Sequence, residues 1–427
     1  MALTTDRAIA EHVTLRAILA DRYIGPIIGL VFLVLAGLGV VFPVMPLFVR
    51  SFGVGYDGVG VFIGAFGFMR LFGDLIGGAI VDRKGERWTA VAGMALLAVC
   101  ATATGLAPNY ALALMSWAIA GVGSAVSFAA LFSYVVKVAP KDRVGRVLSF
   151  FYGAFNVGVI AGGAVGGLVA ARFGLAAPLF IYTGILVFAA AFYVPRFIPT
   201  IEQAPVEVPL DAARAEGLAN EEAPLPSKGP IRTMMRLPGF VTALVLNLIY
   251  LWMVGSVFNT LLSLFAQDEL GVSTAGIGGL FALAVAAEFL ILFPAGAWAD
   301  RFGRRAVLVP ALAALTISLA ATGFATSVWM LAVFLVLLSI AGGFAGVPPA
   351  AMISDVVPEQ QSGRAIGAFR FFGDLGFFFG PLIAGATSKS FGFRTAFIVT
   401  AIPSAIGLVL TLRTAETLQE KNRGLAR

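Results

Sequence analysis

The sequence predicts an all-α integral membrane protein, with twelve transmembrane helices arranged as two pseudo-symmetric six-helix bundles. Three observations predict it. Apolar residues make up 59% of the 427, and charged residues only 12%, about half the usual share of a soluble domain. Apolar runs are long and unbroken, whereas a transmembrane barrel alternates apolar and polar residues and a disordered chain has the opposite balance. The first half of the chain repeats in the second at one constant offset, as expected of an architecture built from internal repeats.

A span needs about 20 apolar residues. Twelve stretches qualify: 25–49, 57–81, 88–107, 110–136, 146–171, 176–195, 238–266, 274–299, 306–326, 328–354, 364–388 and 392–412. The segment 196–237 differs in kind. It is rich in acidic residues such as Glu202, Glu207 and Asp211, and in prolines such as Pro199, Pro205 and Pro209. It is expected to be a polar linker. The chain therefore divides into an N-terminal bundle (1–195), a cytoplasmic linker (196–237) and a C-terminal bundle (238–427). Residues 1–22 mix charges with short apolar stretches, which fits a short interfacial helix and no signal peptide.

The formal charge of +6 is read as membrane orientation, and no nucleic-acid partner is expected. With both termini inside, most Lys and Arg fall on the inner side, and the outer loops hold only Arg50, Arg172, Lys389 and Arg394. This distribution places both termini in the cytoplasm of a multi-pass plasma-membrane protein. The single cysteine, Cys100, lies within an apolar run and forms no intrachain disulfide.

Adding 218 to a position in the first half gives its counterpart. Gly78, Asp82, Arg83, Gly85 and Arg87 map to Gly296, Asp300, Arg301, Gly303 and Arg305. Pro140, Gly145 and Arg146 map to Pro358, Gly363 and Arg364, and Phe173-Gly174 maps to Phe391-Gly392. In these loops Gly85 and Gly303 permit a tight turn. Asp82 and Asp300 end the second and eighth spans, where a carboxylate can meet an arginine or the positive end of another helix. The basic residues can also meet anionic lipid heads.

The stretch Gly78-Ala-Ile-Val-Asp82-Arg83-Lys-Gly85-Glu-Arg87 resembles the signature loop between helices 2 and 3 of the major facilitator superfamily. Gly296 to Arg305 resembles its second copy between helices 8 and 9. The resemblance covers essentially the whole chain. It implies two bundles that rock about a central cavity, with the two loops latching the cytoplasmic side. The fifth span, Gly158-Val-Ile-Ala-Gly162-Gly163-Ala-Val-Gly166-Gly167, is similar to the glycine-rich helix 5 motif of the superfamily's drug antiporters, with Gly163 in place of the family's proline. The eleventh span keeps the proline in Gly376-Phe-Phe-Phe-Gly380-Pro381. Small residues at such spacing let helices approach closely. Drug antiporters of this type carry an arginine four residues before a Gly-x-Gly in helix 4; here Trp117 precedes Gly121-Val-Gly123.

An ionisable side chain at the bilayer centre costs about 2.5–3.5 kcal/mol on insertion scales, so each one needs a partner or a role. At ~1.5 Å per residue, Arg70 and Asp74 lie roughly 18 and 12 Å from the Asp82 end of their span, and Glu288 roughly 18 Å from Asp300. Arg370 and Asp374 are deep in the eleventh span. Arg70 and Asp74 are four apart and can pair along one helix face, as can Arg370 and Asp374. These two basic residues face three acidic ones, so one carboxylate is left without a fixed cation. Such a group tends to bind a proton. Glu288 occupies the repeat position of Arg70 and has no partner on its own span. It is the first candidate for proton coupling, followed by Asp74 and Asp374, with Arg70 and Arg370 as their partners. Asn156 is the repeat partner of Asp374.

In the superfamily, helices 1, 4, 7 and 10 face the cavity. The resemblance thus implies a substrate cavity drawn from Pro43, Pro46, Trp117, Ser124, Ser127, Asn247, Tyr250, Trp252, Asn259, Thr260 and Pro348-Pro349, with Asn156 beside them. Such a lining suits small amphiphilic molecules. The function expected is secondary active transport by alternating access, as proton-coupled efflux. Proton-coupled uptake or uniport on the same fold is the alternative, and a non-transporting receptor or scaffold is the alternative of another class. No nucleotide-binding loop, metalloprotease motif or nucleophile elbow is present in the sequence. An enzyme is therefore not expected, nor a cofactor or a metal ion. The partners expected are substrate, protons and membrane lipids, with the protein a monomer.

Overall fold

The computed structural model describes residues 21–139, 144–200, 234–358 and 361–418. Most of the expected linker (201–233) and of the expected interfacial helix (1–20) lies outside the described residues, as does Pro140. Among the described residues the chain is helical, with no strand. The first bundle holds α1 (Ile24–Val41, resuming as Met45–Arg50), α2 (Tyr56–Lys84), α3 (Glu86–Gly105), α4 (Tyr110–Val138), α5 (Val144–Phe173) and α6 (Ala177–Phe197). The second holds α7 (Phe240–Asp268), α8 (Thr274–Phe302), α9 (Arg304–Thr322) and α10 (Val328–Val356). A continuous helical stretch, Ser362–Arg413, then breaks at Gly392, where φ is 79°, into α11 (362–391) and α12 (393–413). The twelve spans fall where the apolar runs place them.

The repeat is visible in the backbone. Of the seven positive-φ glycines among the described residues, six form the pairs Gly53 and Gly271, Gly85 and Gly303, and Gly174 and Gly392, each pair at the 218 offset, and Gly239 stands alone. Gly85 (φ 75°) and Gly303 (φ 101°) let the chain reverse directly from α2 into α3 and from α8 into α9.

Prolines act unequally: Pro294, Pro310, Pro381 and Pro403 lie inside helices that continue through them, whereas Pro43 falls in a break. Pro43 interrupts α1, and its carbonyl accepts a hydrogen bond from the Ser263 hydroxyl of α7 at 2.7 Å, across the bundles. α7 widens to a π-helix over Val254–Leu261. There the side chains of Asn259 and Thr260 donate to the carbonyls of Val254 and Gly255, five residues back.

The bundles meet along two seams, α2 against α11 and α5 against α8. Glycines make both approaches possible: a side chain at Gly60 would strike the backbone of Pro381, and one at Gly167 the backbone of Thr274.

Candidate functional site

The deep charges gather on the α2–α11 seam, and they cross it. Arg70 of α2 donates from Nε to Asp374 Oδ1 of α11 at 3.1 Å, and Arg370 of α11 pairs with Asp74 Oδ1 of α2 at 2.6 Å. The expected pairings along each helix, Arg70 with Asp74 and Arg370 with Asp374, are therefore corrected. The reason is geometric. α2 and α11 lie face to face at glycines, so the shortest reach for each guanidinium is across the seam. Each arginine also meets α4: Arg70 donates to the Ser124 hydroxyl at 3.1 Å, and the Arg370 guanidinium lies 4.7 Å from the centre of the Phe128 ring.

Glu288 stands apart from this cluster. It is 6% exposed, and its Oε1 accepts a 2.5 Å hydrogen bond from the Tyr250 hydroxyl of α7. No basic side chain pairs with it among the described residues. Three residues before Tyr250, Asn247 donates to the Phe369 carbonyl of α11 at 2.7 Å and packs against Gly373. α7 thus bridges Glu288 to the segment of α11 that carries Arg370 and Asp374.

The other expected cavity residues divide. Trp117 is 2% exposed and stacks on Phe62 and Phe66 of α2, with ring centres 6.1 and 5.0 Å away. It packs inside the first bundle, where a flat indole fills the α2–α4 gap. Asn259 is buried with its amide committed to its own helix, and Asn156 donates to the Tyr152 carbonyl. Pro43 and Pro46 are buried beside α7. Of the set, Ser124 hydrogen-bonds Arg70, Tyr250 hydrogen-bonds Glu288, and Asn247 hydrogen-bonds the Phe369 carbonyl beside Arg370. A pocket of about 450 Å³ lies elsewhere, among Glu269, Thr326 and Arg394 at the loops of the second bundle.

Contacts between bundles are uneven along the seams. At the end that carries Asp268, the Asp268 carboxylate of α7 receives Arg50 and the Tyr56 hydroxyl of the first bundle, and Lys389 of α11 pairs with Asp57 of α2 at 2.7 Å. Arg50 and Asp268 are themselves repeat partners, so they meet near the pseudo-twofold axis. At the opposite end, the ion pairs among the described residues stay within one bundle. Glu86 pairs with Lys137 at 2.5 Å, and Arg304 bridges Asp300 at 2.5 Å and Asp355 at 3.1 Å. These sets are again repeat partners, with the signs reversed: Glu86 corresponds to Arg304, and Lys137 to Asp355. Glu416 closes the second cluster by accepting from the backbone N–H groups of Arg304 and Arg305, both at 2.9 Å.

The two signature loops therefore differ. Asp82 is exposed and engages no described residue, whereas Asp300 is tied through Arg304 to the body of its own bundle. Arg87 donates to the Pro195 carbonyl at 2.7 Å and Arg305 to the Leu412 carbonyl at 2.8 Å. Arg83 and Arg301 are exposed, a side chain at Gly78 would meet open space, and one at Gly296 would meet Val347 of α10. Among the described residues, neither loop forms an ion pair or hydrogen bond with the opposite bundle.

The family description Major Facilitator Superfamily matches residues 27–287 and 244–427, which together span nearly the whole chain. The chain belongs to the major facilitator superfamily. It is a multi-pass membrane transporter and not an enzyme. The multidrug resistance protein MdtG of Enterobacter lignolyticus is 28% identical over 389 residues, covering 89% of each chain. The quinolone resistance protein NorA of Staphylococcus aureus is 25% identical over 366 residues, covering 83% of this chain and 87% of its own. Among solved structures, a bacterial homologue of the human lysosomal transporter Spinster matches with a TM-score of 0.75 at 15% identity, covering 93% of this chain and 97% of that one. A D-xylose–proton symporter matches with a TM-score of 0.73 at 14% identity, covering 92% and 99%. At such identities the structures speak for the fold.

Proposed function

We propose that this transporter exports small amphiphilic molecules in exchange for protons. The observation that carries the reading is Glu288: a buried carboxyl group, hydrogen-bonded to Tyr250, with no cation opposite it among the described residues. Such a group favours a proton when the site is dry and releases it when water enters. Tyr250 and Asn247 link it to the seam on which the bundles move.

On this reading the form described here is the inward-facing one. The charge distribution of the loops favours a cytoplasmic Asp82 end, and the inter-bundle ion pairs among the described residues lie at the opposite end and at mid-depth. Substrate enters between α2, α4, α5 and α11. There Phe128 and Phe132 stack 6.1 Å apart, and Tyr152 is exposed beside Phe151. Aromatic faces next to a guanidinium suit a flat, partly polar molecule. Two relatives named for multidrug and quinolone resistance support the same class of substrate.

The test uses purified protein in liposomes with a pH-sensitive dye inside. A proton gradient is imposed, and lipophilic cations, neutral drugs and sugars are added in turn. One compound class is expected to move protons opposite to itself in the wild type, and not in Glu288→Gln. Protons moving with the compound would turn the reading to uptake. Compound movement that ignores pH in both proteins would make it a uniporter.

A further inference from the structure

The two deep arginines spend their guanidinium groups unequally. A guanidinium has two bidentate edges, one end-on through Nη1 and Nη2 and one side-on through Nε and Nη2. Arg70 donates from Nε to Asp374 and from Nη1 to the Ser124 hydroxyl, each at 3.1 Å. Arg370 makes a single such bond, from Nη2 to Asp74 at 2.6 Å, so one of its edges stays complete. Its Nε and Nη1 engage no described residue and are not sealed from water. The carboxylates are placed the opposite way, because the free oxygen of each, Oδ2, is buried. The side chains of Arg70 and Arg370 are 23% and 24% exposed, against 4% and 18% for their partners Asp374 and Asp74. The cluster thus balances its charges and turns its positive ends toward water.

An aromatic surface adjoins the open edge. Arg370 Cζ lies 4.7 Å from the centre of the Phe128 ring. One turn on along α4, Phe132 stacks on Phe128, with ring centres 6.1 Å apart and planes 14° apart. Phe151 of α5 packs edge-on against both, at 6.0 and 6.2 Å, and is fully buried. It props the two rings, while Phe128 and Phe132 stay partly exposed. The strip runs from Arg370 toward Lys137, which pairs with Glu86 at the Asp82 end of the bundle. That is the side from which substrate enters in the reading above.

We propose that this transporter takes flat aromatic molecules bearing a carboxylate, and that Arg370 is the residue that selects them. The ring lies along Phe132, and the carboxylate meets the open edge of Arg370. A carboxylate matches such an edge with two parallel N–H···O bonds. A lipophilic cation meets an arginine first, and no aspartate oxygen is left open to it; Glu288 is 6% exposed and turned to Tyr250. A neutral ring gains the stacking alone. A sugar needs more hydrogen-bonding partners than one open edge among apolar faces supplies. The Asp74 bond is kept while substrate is held, so binding leaves the seam joined. This assignment names a substrate class within the amphiphile-exporting reading above, and rests on it.

Equilibrium dialysis against the purified full chain in lipid nanodiscs, corrected for empty nanodiscs, tests it. Three radiolabelled probes share one ring system: 2-naphthoate, its methyl ester and 2-naphthylmethylammonium. The wild type is expected to bind the acid about tenfold more tightly than either of the others, as for a charge-assisted hydrogen bond. Arg370→Gln removes the cation and is expected to bring the acid down to the level of the ester. Arg370→Lys keeps a cation for Asp74, so the fold is retained, but it has no planar edge. There the acid is expected to lose several-fold and the ester nothing. Phe132→Ala leaves the charges in place and is expected to weaken acid and ester by the same factor. Equal binding of the three probes, tighter binding of the ammonium, or no saturable binding of the acid would overturn the proposal. So would an acid preference undiminished in Arg370→Lys, because the anion would then sit elsewhere. The dialysis uses no proton gradient. Selective acid binding in a protein that moves no protons would therefore sink the exchange reading alone. Proton exchange driven by cations, without acid binding, would sink this assignment alone.

Discussion

The two seams between the bundles share a backbone and differ in chemistry. On one, Gly60 meets Pro381 and Gly385; on the other, Gly278 meets Gly163 and Gly167, each residue 218 positions from its counterpart. The same offset carries Arg70 and Asp74 to Glu288 and Leu292, and Arg370 and Asp374 back to Tyr152 and Asn156. One seam thus holds four charges in two crossed pairs. The other holds one carboxyl group, which turns to a tyrosine of α7. Close packing requires small residues on both seams, so the glycines recur. Charge is expensive in both places, so it stays only where it has a partner or a task. A fold with twofold symmetry thereby becomes chemically one-sided.

The largest expected effect comes from removing a cation from the charged seam. Arg370→Ala leaves Asp74 without its partner and is expected to cost about 3 kcal/mol, the lower end for a broken buried pair, because the Asp74 side chain is 18% exposed. Tyr152→Phe, at the repeat position, is expected to stay within about 0.5 kcal/mol. Reversible unfolding in detergent mixtures measures both, and equal losses would erase the distinction between the seams. A charge exchange then sharpens it. Arg70→Asp with Asp374→Arg is expected to recover much of what either change loses, with a coupling of about 1–3 kcal/mol. Arg70→Asp with Asp74→Arg should recover less, because the observed pairs run across the seam. The opposite ranking would restore the pairing along each helix.

That ranking marks where the sequence is readable. The spans follow from hydropathy alone, and the turns at Gly85 and Gly303 from the repeat. The deep charges stand out because each is costly in lipid. Their partners do not, because spacing along one helix says nothing about which helix lies opposite. Tyr250 is one of several aromatic residues on α7, and only the fold shows that its hydroxyl reaches Glu288. Trp117 reads as a cavity residue by its helix number and proves to be packing, because helical position does not fix which way an indole points. The reversal of Glu86 and Lys137 into Arg304 and Asp355 was available from the offset, as was the meeting of Arg50 with Asp268. The clue in both cases is opposite charge at related positions, which matching identical residues passes over.

The lone carboxyl group of the second seam gives the next prediction. Glu288→Gln keeps size and hydrogen-bonding capacity, so its stability is expected to change by no more than about 1 kcal/mol. Its pH-driven transport is expected to vanish. Tyr250→Phe removes the hydrogen bond and keeps the ring, costing about 1–3 kcal/mol for a buried carboxyl oxygen left without its donor, while leaving some coupled transport. A Glu288→Gln protein that still moves protons with substrate would take Glu288 out of the coupling and leave the crossed seam as the sole candidate.

The smallest expected change in stability falls at Asp82. It is exposed and meets no described residue, whereas Asp300, at the repeat position, is held by Arg304. Asp82→Asn should therefore alter stability by less than about 0.5 kcal/mol, and Asp300→Asn by up to about 1 kcal/mol, as for an exposed ion pair. The conformational effect has the opposite rank. A carboxylate that meets no described residue in this form acts as a latch only if it gains a partner in the other form, in which the Asp82 ends of the bundles approach each other. Removing its charge should shift the population toward separation. Spin labels at Ile76→Cys of α2 and Gly367→Cys of α11, with Cys100→Ala to remove the native thiol, report that distance directly. Asp82→Asn should lengthen the mean distance, and Asp300→Asn should change it less, because Asp300 is already committed within its own bundle. An identical distance distribution in Asp82→Asn and the parent would end the latch reading of the first loop.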